Sequence, residues 1–135
     1  MAGPSQLVLQ AAGSWPHALV LFYALIMGHA VADFPLQGRF LAMAKDRHNK
    51  LPSSEGEGFP RTLWIFALTV HSLIHGATLW LITGSVVFAL AENIVHWFID
   101  LAKCEKLTTF SQDQGLHVLC KAVFAILAFR GLVPP

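Results

Sequence analysis

The chain has 135 residues, enough for one domain, and nine Lys or Arg against eight Asp or Glu give it a formal net charge of +1. That balance gives no reason to expect a nucleic-acid partner. Hydrophobic residues make up 55% of the chain and charged residues only 13%, against about 25% charged in a typical soluble domain, so much of the surface is expected to face lipid.

Residues 1–15 carry no Lys or Arg and read as an extracytoplasmic leader. A helix needs roughly 17–25 mostly apolar residues to span a bilayer. The first such segment covers 16–34, opened by Pro16, which suits a first helical turn, and closed by Pro35. Ala30-Val31-Ala32 has the look of a signal-peptide cleavage site. The leader lacks a basic stretch, however, and cleavage would part His29 from Asp33, so the segment is read as a retained helix. A polar loop, 37–61, follows, with Arg39, Lys45, Arg47, Lys50 and Arg61 and a turn-rich tip from Pro52 to Gly58. The second segment is 62–82. The third, 86–101, is short for a span and is joined to the second by Thr83-Gly84-Ser85, which predicts an antiparallel hairpin. The fourth is 113–132. The expected architecture is all-α: a polytopic membrane protein with residues 16–132 forming a four-transmembrane-helix bundle.

Lys and Arg concentrate in loop 37–61 and, as Lys103 and Lys106, between the third and fourth segments. The positive-inside rule therefore places both loops in the cytoplasm and both termini outside, in a bacterial inner membrane. Trp15, Trp64, Trp80 and Trp97 lie toward segment ends and read as interfacial anchors. His17 and His48 are also expected at the interface. Gly28 and Gly76 are expected to let helices approach closely. Cys104 and Cys120 have no metal-ribbon or CxxC spacing and read as two free thiols.

The chemistry lies in four pairs: His29-x3-Asp33, His71-x3-His75, His96-x3-Asp100 and Asp113-x3-His117. Residues four apart share one helix face, and ionisable residues in a membrane segment point inward. Three pairs fall at the cytoplasmic ends of their helices. His71 and His75 are expected roughly 14–20 Å into theirs, as the floor of a site walled by the others. The expected occupant is a metal: eight donors serve one or two ions, and the mixed imidazole and carboxylate set suits zinc first, then iron or manganese. Interhelical hydrogen bonding without metal is the plain alternative. Glu92, four residues before His96, is the candidate general base, or else a further ligand or a buried structural acid. Lys121, four past His117, is expected to snorkel to the interface or meet an anionic head group.

The stretch His29-Ala30-Val31-Ala32-Asp33-Phe34-Pro35-Leu36-Gln37 resembles the H-x3-D-F-x2-Q opening of an uncharacterised bacterial and phage membrane family, domain of unknown function 3307. The pairs at His71/His75 and His96/Asp100, and the D-Q-x2-H at Asp113, Gln114 and His117, follow in that family's order, over about Met27 to Leu127. The resemblance implies a small polytopic membrane protein and singles out Gln37 and Gln114; it supplies no function. From the residues, the expected function is metal-dependent hydrolysis of a lipid or membrane-associated substrate near the cytoplasmic interface, by metal-bound hydroxide. Alternatives are a divalent-cation or proton transporter, a di-iron lipid oxygenase, and a non-catalytic metal-stabilised membrane protein. The bilayer is the expected partner, and a homodimer is open. G-x-S-x-G, P-loop and H-E-x-x-H patterns are absent.

Overall fold

A computed structural model describes residues 4–51 and 58–134. The turn-rich tip at 52–57 lies outside the described residues. The rest is helical: α1 (Gln6–Ala11), α2 (Trp15–Val31), a π-helical turn (Ala32–Leu36), α3 (Gly38–Ala44), α4 (Leu63–Thr83), α5 (Val86–Cys104) and α6 (Phe110–Phe129). No strand occurs among the described residues.

Local chemistry explains most boundaries. Gly84 takes φ +72°, the left-handed conformation that ends a helix, and its N–H returns to the Trp80 carbonyl. Ser85 then caps α5 by accepting from the Phe88 N–H. The predicted α4–α5 hairpin is therefore present. Thr109 and Gln112 form a reciprocal capping box that starts α6 at Phe110, three residues before the expected 113.

Two sequence expectations change. Residues 6–11, assigned to the leader, form a helix whose Val8 and Ala11 are buried with Leu21, Leu25, Phe88 and Phe124. Their apolar side chains have a core to enter, and the Ser5 N–H bonds the Thr83 carbonyl at 2.7 Å. Nor does Pro35 stop the first long helix. Proline lacks an N–H and crowds the preceding turn; here the backbone widens into the π turn and continues. Gly38, at φ +62°, then redirects the chain into α3.

The ends of the bundle are distinct. At one end Arg47 bridges to Glu105 at 2.8 Å, tying loop 37–61 to the α5–α6 connection. The guanidinium holds the Glu105 carboxyl below its ordinary range. At the other end Ser5 N–H bonds the Thr83 carbonyl and Ser85 donates to the Pro134 carbonyl at the α4–α5 turn, while Gly13 N–H bonds the Phe129 carbonyl at 2.8 Å.

Helix α4 packs most extensively on α5. Gly76 explains the close approach, because a Cβ there would lie 1.8 Å from Asn93 Oδ1. Gly28 serves α2 and α4 the same way, with a Cβ 2.7 Å from Thr78 Cγ2. Gly76→Ala is predicted to destabilise by about 1–3 kcal/mol through overpacking, and the double substitution Gly76→Ala with Asn93→Ala to recover most of it. Melting temperatures of the three variants test this; a neutral Gly76→Ala would show that the two helices are not constrained there.

Polarity is inverted relative to a soluble protein. Leu19, Tyr23, Phe66, Leu81, Ile94 and Leu119 lie exposed on the outside of the four long helices. His71, Glu92, Asp100, Asp113 and Lys121 are almost wholly buried inside. Two stretches, Trp15–Leu36 and Leu63–Thr83, are long and apolar enough to cross a membrane. Helices α5 and α6 are less apolar because they carry Glu92, Asp100, Lys103, Asp113 and Lys121.

Candidate metal centre

All four pairs come together. The i,i+4 spacing aims His29 and Asp33, His71 and His75, His96 and Asp100, and Asp113 and His117 from α2 and its π turn, α4, α5 and α6 at one point. His71 and His75 do not form a deeper floor. His71 Nε2 lies 3.2 Å from Asp33 Oδ1 and 3.3 Å from Asp100 Oδ2, level with the rest. Helix α3 packs against α4 as well.

Each imidazole turns Nε2 toward a carboxylate. His75 Nε2 is 3.1 Å from Asp33 Oδ1, and His29 Nε2 is 3.4 Å from Asp33 Oδ2. His117 Nε2 is 3.4 Å from Asp100 Oδ1 and 3.6 Å from Asp113 Oδ1. His96 Nε2 is 3.8 Å from Asp100 Oδ2, and the His75 and His96 rings stack with centroids 3.6 Å apart. Several of these approaches are not hydrogen bonds. His71 Nε2, His96 Nε2 and Asp113 Oδ1 are buried without a hydrogen-bond partner. Leaving such groups unpaired costs about 1–3 kcal/mol each. Donor atoms that share an ion at about 2.0–2.1 Å in a tetrahedron are about 3.3 Å apart, facing the ion rather than one another. The donor chemistry and spacing therefore fit a divalent cation. Three donor groups are compact enough: Asp33, His71, His75 and His96; His29, His96 and His117; and Asp100, Asp113 and His117.

Around these donors stands a second layer that sequence spacing did not reveal. Lys45 donates to Asp100 Oδ2 and, at 3.1 Å, to Gln37 Oε1. Lys103 donates to Asp113 Oδ2 at 3.0 Å. Gln114 bridges two helices, donating to Asp33 Oδ2 at 2.9 Å and Asp113 Oδ2 at 3.2 Å. Lys45 lies in the cationic loop, far from any helical pair, and nothing in its spacing identifies it. Lys121 neither snorkels nor faces head groups. It is 2% exposed and donates to Glu92 Oε1, because Glu92 faces it from α5 and gives the ammonium a buried partner. Glu92 lies behind His96, with Oε1 3.4 Å from Nδ1, on the side away from Asp100. His17 and His48 stand outside the cluster; His48 Nε2 is 3.3 Å from Glu105 Oε2. Cys104 and Cys120 are free, as expected.

A cleft lies outside the donor cluster. It holds about 500 Å³ at the charged end and is lined by Arg47, Lys50, Arg61, Asp46, Phe59 and Trp64, with Ala44 at its edge. Its lining residues Ala44 and Asp46 flank Lys45, whose ammonium reaches the cluster.

Fold and site together define an all-helical protein, apolar outside, that encloses a buried imidazole–carboxylate cluster. The chain belongs to the family described as protein of unknown function DUF3307, which matches residues 21–132. That span contains all four pairs together with Gln37 and Gln114, the residues on which the resemblance rested. No curated protein and no solved structure matches the chain.

Proposed function

We propose that this protein is a four-span integral protein of the bacterial inner membrane whose bundle encloses a divalent-metal centre, and that it hydrolyses a lipid or membrane-associated substrate near the cytoplasmic interface. The observation that carries the metal is the pair of buried nitrogens, His71 Nε2 and His96 Nε2, that crowd carboxylate oxygens without forming hydrogen bonds. A cation between them satisfies both sets of lone pairs at once. Zinc is the first choice for this donor set, with iron or manganese next. The membrane assignment rests on the exposed apolar skin, which continues over α5 and α6, whose Glu92, Asp100, Asp113 and Lys121 are buried inside. Both loops rich in Lys and Arg lie at one end, which the positive-inside rule makes cytoplasmic.

A divalent ion supplies Lewis acidity toward water or a substrate oxygen. The protein's own residues do the rest. Glu92 Oε1 lies 3.4 Å from His96 Nδ1, so its charge stands behind the imidazole while Nε2 faces the centre, a carboxylate–imidazole arrangement of the kind that tunes metal ligands. That makes it a positioning residue in this reading rather than the proton acceptor. The cleft at Arg47, Lys50 and Arg61 offers an anionic head group a place beside the centre. Elemental analysis of detergent-purified protein tests the centre. The expected result is bound zinc, manganese or iron in the parent and none in the double variant His71→Ala, Asp100→Ala. A parent that holds no metal after chelator-free purification and metal re-addition would overturn it.

A further inference from the structure

The four carboxylates of the cluster are not equivalent, and charge shows where an ion belongs. Each of three has its own lysine. Lys45 pairs with Asp100, Lys103 with Asp113 and Lys121 with Glu92. Asp33 has none. Its partners are the Gln114 amide and the imidazoles of His29, His71 and His75. With neutral imidazoles the buried cluster therefore carries one net negative charge, and that charge sits on Asp33.

Low-dielectric surroundings make uncompensated charge expensive. One divalent ion changes the cluster's balance from −1 to +1; two would take it to +3, with no further carboxylate within reach to offset the excess. The donors point the same way. Among the described residues, Asp33, His71, His75 and His96 are the one group that offers four donor atoms within 4.8 Å of each other, the number a tetrahedral ion takes. Asp33 Oδ1 is 3.2 Å from His71 Nε2 and 3.1 Å from His75 Nε2, close to the tetrahedral edge. His96 completes the set and is held from behind by Glu92. By contrast Asp100, Asp113 and His117 form a group whose carboxylates are already neutralised.

Resting on the metal reading above, we infer that the centre holds a single divalent ion, bound by Asp33, His71, His75 and His96, and that Asp100, Asp113 and His117 are not its ligands. Those three residues, with Lys45 and Lys103, form a neutral polar wall next to the ion. His117 is held there between two carboxylates, and Asp100 Oδ2, already paired with Lys45, lies 3.3 Å from the same His71 Nε2 that faces Asp33. Half of the paired residues thus bind the ion and half shape its surroundings.

The test is the zinc content per chain, after saturation and removal of free zinc, of the full-length parent and three variants in one detergent. Asp33→Asn keeps the shape of the side chain and removes the unbalanced charge. Asp113→Asn leaves Lys103 able to reach solvent. The double variant Lys45→Met, Asp100→Asn removes a neutral pair together. One equivalent is expected in the parent, in Asp113→Asn and in the double variant, and less than a tenth in Asp33→Asn. Gel filtration of each variant confirms that it is folded before counting, and His75→Gln replaces Asp33→Asn should that protein aggregate. Two equivalents in the parent, or loss of the ion in folded Asp113→Asn, would overturn the single-ion assignment while leaving the metal centre standing. No zinc in the parent overturns the centre itself.

Discussion

Replacing Lys121 with methionine is expected to destabilise the bundle by about 3–5 kcal/mol, because it strands the Glu92 carboxylate without its cation in a buried site. The pair lies wholly inside, at 2% and 1% side-chain exposure, so neither group reaches water when the other is removed. The reverse single change, Glu92→Leu, strands the ammonium and is expected to cost a similar amount. Both changes together leave an apolar contact of similar volume, and such replacements are often neutral or stabilising. Thermal unfolding in one detergent distinguishes the cases: two fragile single variants and a double variant near the parent. A Lys121→Met protein as stable as the parent would mean that the pair is not energetically coupled. Metal content adds a second readout. The Glu92 carboxylate stands 3.4 Å behind His96 Nδ1, so Glu92→Leu is expected to weaken metal retention even in the stable double variant.

Metal removal is the other large effect. A ligand that binds only the folded state stabilises it by about 4 kcal/mol at a free concentration 1,000 times its dissociation constant. For a chain of this size that corresponds to roughly 10–20 °C in melting temperature. Zinc-loaded protein is therefore expected to melt that much above chelator-treated protein. The Asp33→Asn variant is expected to show no zinc-dependent shift. Equal melting of loaded and chelated parent would separate the cluster from metal-linked stability. The direction follows from the donors: without an ion, His71 Nε2 and His96 Nε2 remain buried and unpaired, and the charge on Asp33 has no compensating cation.

Much of the helical architecture could be read from periodicity. The α4–α5 hairpin followed from Thr83-Gly84-Ser85, since only a glycine adopts the left-handed turn at that position without strain. The close contacts at Gly28 and Gly76 followed from small residues beside ligand positions. Periodicity misjudged Pro35, because whether a proline ends a helix or widens it depends on what the next turn packs against. It also set aside residues 6–11, whose short apolar run becomes a core helix only when α2, α5 and α6 supply the other side of the pocket.

The sequence by itself determined which residues could meet. An i,i+4 spacing fixes two side chains on one helix face whatever the fold, and four such pairs in apolar segments leave the interior as the place for their polar groups. Membership of the family followed from the same four motifs. Only the tertiary structure decided depth and partnership. The approach of His71 Nε2 to both Asp33 and Asp100 is made between helices that periodicity treats separately. The pairing of Lys45, Lys103 and Lys121 with Asp100, Asp113 and Glu92 joins residues 55, 10 and 29 positions apart. Charge compensation acts through space and falls with distance, not along the chain. Spacing could therefore nominate eight ligands, but only the positions of three lysines single out Asp33.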